Sequence, residues 1–283
     1  VDLKKSSLTT GVFLLAMFLN CGQLYAQETS TEALNKGMMF LKNGENNNAI
    51  IEFNNAAQID PKDVEARYYL GVAYILKGNT SQAMTEYDKV LGIKPYDAES
   101  YVIHGLVNEA KGNYDQAIAD SSKAVGIDPN FYKAYSCRGL AYEYKRNNQQ
   151  AIADFSKAIE LYPHYPGNYY NRGILYQRTS SYDQAISDYT KAIEINPAEK
   201  VFYFNRGDCY SKKGNYDQAL ADFSKVIELS PRFPLGYYRR GKIYFMKNEY
   251  ANAWADIGRA ETLGFKPNKE FIDELKKASG RDQ

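Results

Sequence analysis

PGNYYNRGILYQRTSSYDQAISDYTKAIEINPAE, residues 166–199, and KVFYFNRGDCYSKKGNYDQALADFSKVIELSPRF, residues 200–233, align end to end without a gap. Glycine stands eighth in both, alanine twentieth and proline thirty-second. Working outward, prolines recur at Pro61, Pro95, Pro129, Pro163, Pro197 and Pro231, every neighbouring pair 34 residues apart. A fixed period of that length marks an array of stacked supersecondary units. Seven units follow: 30–63, 64–97, 98–131, 132–165, 166–199, 200–233 and 234–267, the last without its proline. The eighth slot is always glycine (Gly37, Gly71, Gly105, Gly139, Gly173, Gly207, Gly241) and the twentieth always alanine (Ala49, Ala83, Ala117, Ala151, Ala185, Ala219, Ala253). Small residues on two neighbouring helices let their backbones approach closely.

Slots four, eight and eleven form one helical stripe, as in Tyr169, Gly173 and Tyr176. Slots twenty, twenty-four and twenty-seven form a second, as in Ala151, Phe155 and Ala158. Each unit is therefore two helices. Steps such as Gly112-Asn113 and Gly214-Asn215 separate them, glycine ending the first helix and asparagine capping the second. Asn79 with Gln82, Asn113 with Gln116, Asn147 with Gln150, Ser181 with Gln184 and Asn215 with Gln218 fit a reciprocal capping box. The proline then stops the second helix.

These slots resemble the tetratricopeptide repeat family: an aromatic fourth, glycine eighth, Tyr or Phe eleventh, alanine twentieth, an aromatic twenty-fourth, proline thirty-second. The likeness covers residues 30–267, with Asn108, Ser121, Ile257 and Phe265 as local departures. It implies an all-α, right-handed superhelical solenoid of seven helix-turn-helix units whose first helices line a concave groove. Residues 268–283 supply a capping helix and tail, Phe271, Ile272 and Leu275 forming its apolar side.

Lys+Arg 35 against Asp+Glu 34 gives a net charge of +1, so charge offers no reason to expect nucleic acid. Two histidines and three cysteines are too few for a metal cluster, and neither a nucleophile motif nor a phosphate loop is present. No catalytic residue, metal or cofactor is therefore expected. Residues 1–26 carry Lys4-Lys5, the apolar run Gly11 to Leu19 and a terminal Ala26, the order of a secretory signal, which predicts an exported, periplasmic or secreted chain. The run is too short to span a bilayer. Cleavage after Ala26 is favoured over lipidation at Cys21, because Asn20 stands where a small residue normally precedes a lipidated cysteine. The mature chain then begins with the short segment 27–29. Cys137 and Cys209 are expected to be half-buried thiols without redox chemistry.

Slot seven holds Arg138, Arg172, Arg206 and Arg240, and slot twenty-three of the same units holds Asp154, Asp188, Asp222 and Asp256. Because acid accompanies base unit by unit, these read as structural ion pairs and not as ligand-binding arginines. Groove candidates are first-helix slots off the packing stripe: Tyr68, Tyr170, Asn171, Gln177, Arg178, Phe204, Asn205, Lys212, Tyr238, Arg239 and Lys242. Rings with amide and guanidinium groups beside them suit an extended peptide. The asparagine row is interrupted at Tyr69, Ile103 and Cys137, so only a short ladder forms. Related co-chaperones clamp carboxylates with Lys and Asn one turn apart in the first unit; Leu34 and Met38 stand there, and that activity is not carried over.

Charge separates along the repeats: 9 basic against 14 acidic residues over the first three units, 20 against 14 over the last four. The C-terminal half is the better place for an acidic or carboxylate-ended ligand, and the asymmetry favours head-to-tail self-association. The reading is a noncatalytic scaffold that binds a peptide segment or partner protein and serves assembly of an envelope complex. The alternatives are a nucleic-acid-binding or glycan-binding solenoid, or an accessory subunit of an envelope enzyme.

Overall fold

A computed structural model describes residues 29–94 and 98–281. The secretory-signal reading, with Cys21, lies outside the described residues. The described residues form fifteen α-helices and no strand: α1 (Ser30–Lys42), α2 (Asn46–Ile59), α3 (Val64–Leu76), α4 (Thr80–Ile93), α5 (Ala98–Ala110), α6 (Tyr114–Ile127), α7 (Tyr132–Tyr144), α8 (Asn148–Leu161), α9 (Pro166–Arg178), α10 (Tyr182–Ile195), α11 (Lys200–Lys212), α12 (Tyr216–Leu229), α13 (Pro234–Met246), α14 (Tyr250–Thr262) and α15 (Lys269–Ser279). The described residues divide into two compact units, 29–94 and 98–281. In the first, α1 packs on α2, α2 on α3 and α3 on α4. In the second, each helix from α5 to α15 packs on the next, and the first helices α5, α7, α9, α11 and α13 also touch one another in series. That series makes a continuous face of first helices within the second unit.

The slot-eight glycines are required by the slot-twenty-four rings more than by the alanines. A Cβ on Gly71 would stand 2.4 Å from Tyr87, on Gly37 2.5 Å from Phe53 and on Gly173 2.8 Å from Tyr189. The rings of Tyr87, Phe53, Phe155, Tyr189 and Phe223 are fully buried in the space this leaves, and the slot-twenty alanines are buried beside them.

The tyrosines and arginines form one repeated assembly. Arg138, Arg172, Arg206 and Arg240 each hold the aspartate sixteen residues on through two parallel bonds of 2.7–2.9 Å. The remaining guanidinium nitrogen donates to a hydroxyl of the preceding repeat: Ser122, Ser156, Thr190 and Ser224 respectively. Tyrosines of slots four and eleven lie within cation–π distance, as Tyr203 and Tyr210 do of Arg206, and Tyr237 and Tyr244 of Arg240. The hydroxyls of Tyr135, Tyr203 and Tyr237 donate to the carbonyls of Pro129, Pro197 and Pro231. Much of the tyrosine content is thus structural. In the unit 64–97, where Leu70 takes slot seven, Arg67 does both jobs from slot four: it donates to the Pro61 carbonyl at 2.8 and 3.0 Å and pairs with Glu86 at 2.9 Å.

The unit 98–131 solves the same problem without an arginine. Asp120 takes bonds from Asn108 Nδ2 (3.1 Å) and Gln116 Nε2 (2.9 Å), with His104 Nδ1 at 2.7 Å. Asn108 is buried because it fills the slot of an aromatic and serves the aspartate.

The capping-box expectation is corrected. Asn79, Asn113, Ser181 and Asn215 accept no backbone N–H at their helix starts, and Asn147 alone of the five accepts one, from Gln150 at 3.4 Å. The cap backbone explains it: Asn113 sits at φ −84°, ψ 61°, short of the extended geometry that lays a side-chain oxygen over the first turn. Thr29, at ψ 155°, does form a full capping box with Glu32. The residue before each cap is left-handed, glycine at Gly44, Gly78, Gly112 and Gly214 but Arg146, Ser180 and Asn248 elsewhere, each of these three at φ 60–61°.

At the C-terminal end α15 buries Phe271 and Leu275 against α14. Phe265, in the slot where the other units carry proline, packs on Tyr238 with ring centroids 4.6 Å apart. Cys137 and Cys209 are free and more fully buried than expected, and burial pushes each thiol up to about 12.

Candidate functional site

The face of first helices carries a cleft of about 480 Å³ in the second unit, lying over α9, α11 and α13. Gln177 reaches it from α9; Asp208, Ser211 and Lys212 from α11; Arg239, Lys242, Ile243 and Met246 from α13. Tyr216 and Phe223 of α12 back it. Four of the candidates, Gln177, Lys212, Arg239 and Lys242, therefore converge on one place.

The cleft surrounds one carboxylate with three cations. Burial pushes the Asp208 carboxyl above its ordinary range, while Arg239, Lys212 and Lys242 pull it down. Arg239 Nε stands 3.2 Å from Asp208 Oδ1, an ion contact outside hydrogen-bond geometry that leaves this buried N–H without an acceptor. The Arg239 guanidinium lies over the Phe204 ring at 5.8 Å, and Phe204 is wedged edge-on between Phe223 and Phe233. Phe204 thus acts as the seat of Arg239. Gln177 Oε1 accepts the Tyr189 hydroxyl at 2.7 Å, so the amide NH2 is what Gln177 offers a ligand. The lining thus carries an excess of positive charge, with Ile243 and Met246 as apolar wall.

The other candidates lie elsewhere. Tyr170 and Asn205 are joined to each other, Asn205 Nδ2 donating to Tyr170 Oη at 3.3 Å and to the Val201 carbonyl at 3.2 Å. The Tyr170 ring packs on Phe202 and Tyr189. Tyr238 is buried in the C-terminal cluster against Phe265 and Phe271, with Lys242 Nζ over its ring, so it belongs to the cap's packing and not to a ligand surface. Arg178 is exposed and paired with Glu143 at 2.8 Å beside a separate hollow. Asn171 lines a third hollow. Tyr68 belongs to the first unit, its ring edge-on to Tyr69 at 4.9 Å.

Asp208 was missed by residue-type reasoning, yet its slot marks it. Slot nine reads Met38, Val72, Leu106, Leu140 and Ile174, then turns to Asp208 and Lys242. The point where an apolar row becomes charged is the cleft.

Sequence profiles described as tetratricopeptide repeats match residues 132–165, 169–198, 201–233 and 98–131, with further matches at 37–78 and 65–92. Together these span well over half of the chain. The protein belongs to the tetratricopeptide repeat family. A tetratricopeptide repeat protein from Parabacteroides merdae ATCC 43184 is 25% identical with a TM-score of 0.57, the alignment covering 89% of this chain and 98% of that one. MamA is 31% identical with a TM-score of 0.51 over 57% of this chain and 95% of its own. YrrB, whose structure is described as a TPR protein with an unusual peptide-binding site, shares the fold at 23% identity and a TM-score of 0.59, covering 68% of this chain and 97% of YrrB. No curated protein matches the chain. Tetratricopeptide repeat proteins generally mediate protein–protein interaction and are typically noncatalytic. Among the described residues no His, Cys, Asp and Glu cluster is arranged to hold a metal, and no helix is long and apolar enough to cross a membrane.

Proposed function

We infer that this tetratricopeptide repeat protein is an exported, noncatalytic scaffold that holds an acidic segment of a partner protein against the first helices of its second unit, in assembly of an envelope complex. The observation that carries the reading is the cleft over α9, α11 and α13, where Lys212, Arg239 and Lys242 outnumber the single acid Asp208. An incoming carboxylate, from an Asp or Glu side chain or a chain terminus, meets the Arg239 guanidinium and the two lysines, with Ile243 and Met246 beside its apolar stem. Export rests on the order Lys4-Lys5, Gly11 to Leu19, Ala26 in the sequence.

Crosslinking in the native host, with a photoreactive residue at Met246, tests both parts. The expected result is an envelope protein captured through an acidic segment, with capture lost in Lys212→Glu/Lys242→Glu. Capture unaffected by that double reversal sinks the cleft as the binding site. Recovery of the protein with an intact residue 1–26 segment in the cytosol sinks the export.

A further inference from the structure

The hollow that Asn171 lines opens on the first-helix face of the same unit, over α5, α7 and α9, and is mostly apolar where the cleft is cationic, Lys133 being the one charged residue of its lining. Val102 and Leu106 of α5 and Leu140 of α7 give it apolar walls, and Tyr132 and Tyr165 are further lining. Leu106 and Tyr165 are exposed although large and apolar or aromatic. Its volume is about 250 Å³. Sites that hold a whole small molecule run to about 300–1,000 Å³, so this one is sized for a single large side chain.

One polar group in the wall is left without a partner. Asn168 is fully buried, and its Oδ1 accepts the Ser136 hydroxyl at 2.7 Å, but its Nδ2 has no acceptor. The Ser136 hydroxyl also lies 3.1 Å from the Tyr132 carbonyl; turning the amide over would leave an acceptor for a backbone N–H in place of a donor to a carbonyl, so in either orientation one end of the Asn168 amide is open to a peptide unit. A buried donor left unpaired costs about 1–3 kcal/mol, and an apolar residue of like size would avoid that cost. Beside an apolar hollow of one-residue size, the acceptor that arrives with an apolar side chain is the carbonyl of its own peptide unit.

We propose that this hollow takes one large aliphatic or aromatic side chain of a partner protein's extended segment, with Asn168 Nδ2 donating to that segment's backbone carbonyl, and that the same segment delivers a carboxylate to the cationic cleft. The proposal rests on the partner-binding reading above and gives it a sequence requirement: an apolar residue and, a few residues away, an acid. The two sites share α9, where Asn171 lines the hollow and Gln177 the cleft. Six residues of helix separate them by about 9 Å along the axis. A few extended residues, at about 3.3 Å each, bridge that distance. Charge chooses the partner's second anchor, because the cleft offers three cations to one acid.

The test uses the isotope-labelled full chain and two probes. N-acetylleucinamide, titrated by nuclear magnetic resonance, is expected to shift the Asn168 side-chain amide; N-acetylalaninamide is not, and Leu106→Lys, at an exposed position, is expected to abolish the shift. Equal shifts from both amides, no shift, or a shift that survives Leu106→Lys overturns the proposal. A hollow already filled by the chain's own residues 1–28 or by a second copy also gives no shift, and so overturns it. The second probe is a displayed random-peptide library. Selected peptides are expected to pair an apolar residue with a nearby acid and to weaken about tenfold in Leu106→Lys, and separately in Lys212→Glu/Lys242→Glu. Acidic peptides that ignore Leu106→Lys sink the hollow and leave the cleft standing. Peptides sensitive only to Leu106→Lys support the hollow and sink the cleft.

Discussion

Arg172 grips Asp188 with two parallel bonds, Nε to Oδ2 at 2.8 Å and Nη2 to Oδ1 at 2.7 Å, and spends its last nitrogen on Ser156 Oγ at 2.9 Å in the preceding repeat. The side chains are mostly shielded from water, 19% and 5% exposed. The bonds to Asp188 hold the Arg172 guanidinium above its already high ordinary value. Removing one member leaves the other charge buried, which costs about 3–5 kcal/mol, whereas replacing both by apolar residues of like volume is nearly neutral. Arg172→Met is therefore expected to lower the unfolding free energy by about 3 kcal/mol, and Arg172→Met/Asp188→Leu to recover most of it. Chemical denaturation of the four members of the cycle measures this. Additive losses in the double variant contradict a coupled pair.

The first helix and the ring it faces are fitted to different tolerances in different repeats. A methyl on Gly71 would lie 2.4 Å from Tyr87, a fully buried ring with nowhere to move, while one on Gly105 would meet the Ser121 hydroxyl at 3.1 Å. Gly71→Ala is expected to destabilise by about 2–3 kcal/mol through overpacking and Gly105→Ala by less than about 1 kcal/mol. Thermal denaturation ranks them, and equal losses contradict the ring-fit account.

Ser180 holds φ at 60° in the turn between α9 and α10, where four of the other repeats place glycine. A side chain there costs about 1–2 kcal/mol of local strain, part of which glycine gives back as chain entropy. Ser180→Gly is expected to stabilise by about 0.5–1 kcal/mol. Unchanged or lower stability in denaturant titration counts against it.

How far the sequence could be read follows from where the repeat constrains a residue. The helix pairs, the glycine slot and the Arg138 to Asp154 type of ion pair were legible because the same geometry imposes them again and again. The caps were misread, because residue type at Asn113 fits a capping box while the backbone angle that decides it is not written in residue type. The site was half legible. Lys212, Arg239 and Lys242 came from slot position, but Tyr238 has the same slot as Tyr170 and is withdrawn into the cap only because Phe265 and Phe271 follow it. Asn168 was invisible, since an orphaned amide is a property of neighbours.

Glu109 links stability to pH in a direction that separates it from the ordinary carboxylates. Burial, reinforced by the Glu143 carboxylate, raises it from 4.5 to about 7, and its Oε2 is buried without a hydrogen-bond partner. A folded-state value above the unfolded one means that the native chain binds the extra proton between about pH 4.5 and 7. Stability from this group is therefore full below pH 4.5 and is lost as pH rises through about 7, the reverse of a salt-bridged acid. Glu109→Gln, which keeps the shape and removes the charge, is expected to be more stable than the parent at pH 8 by about 1–2 kcal/mol and indistinguishable from it at pH 4, solvent screening having been discounted. Urea titrations at both pH values decide the matter. A Glu109→Gln variant that gains nothing at pH 8, or gains equally at pH 4, shows that the carboxylate is comfortable where it lies.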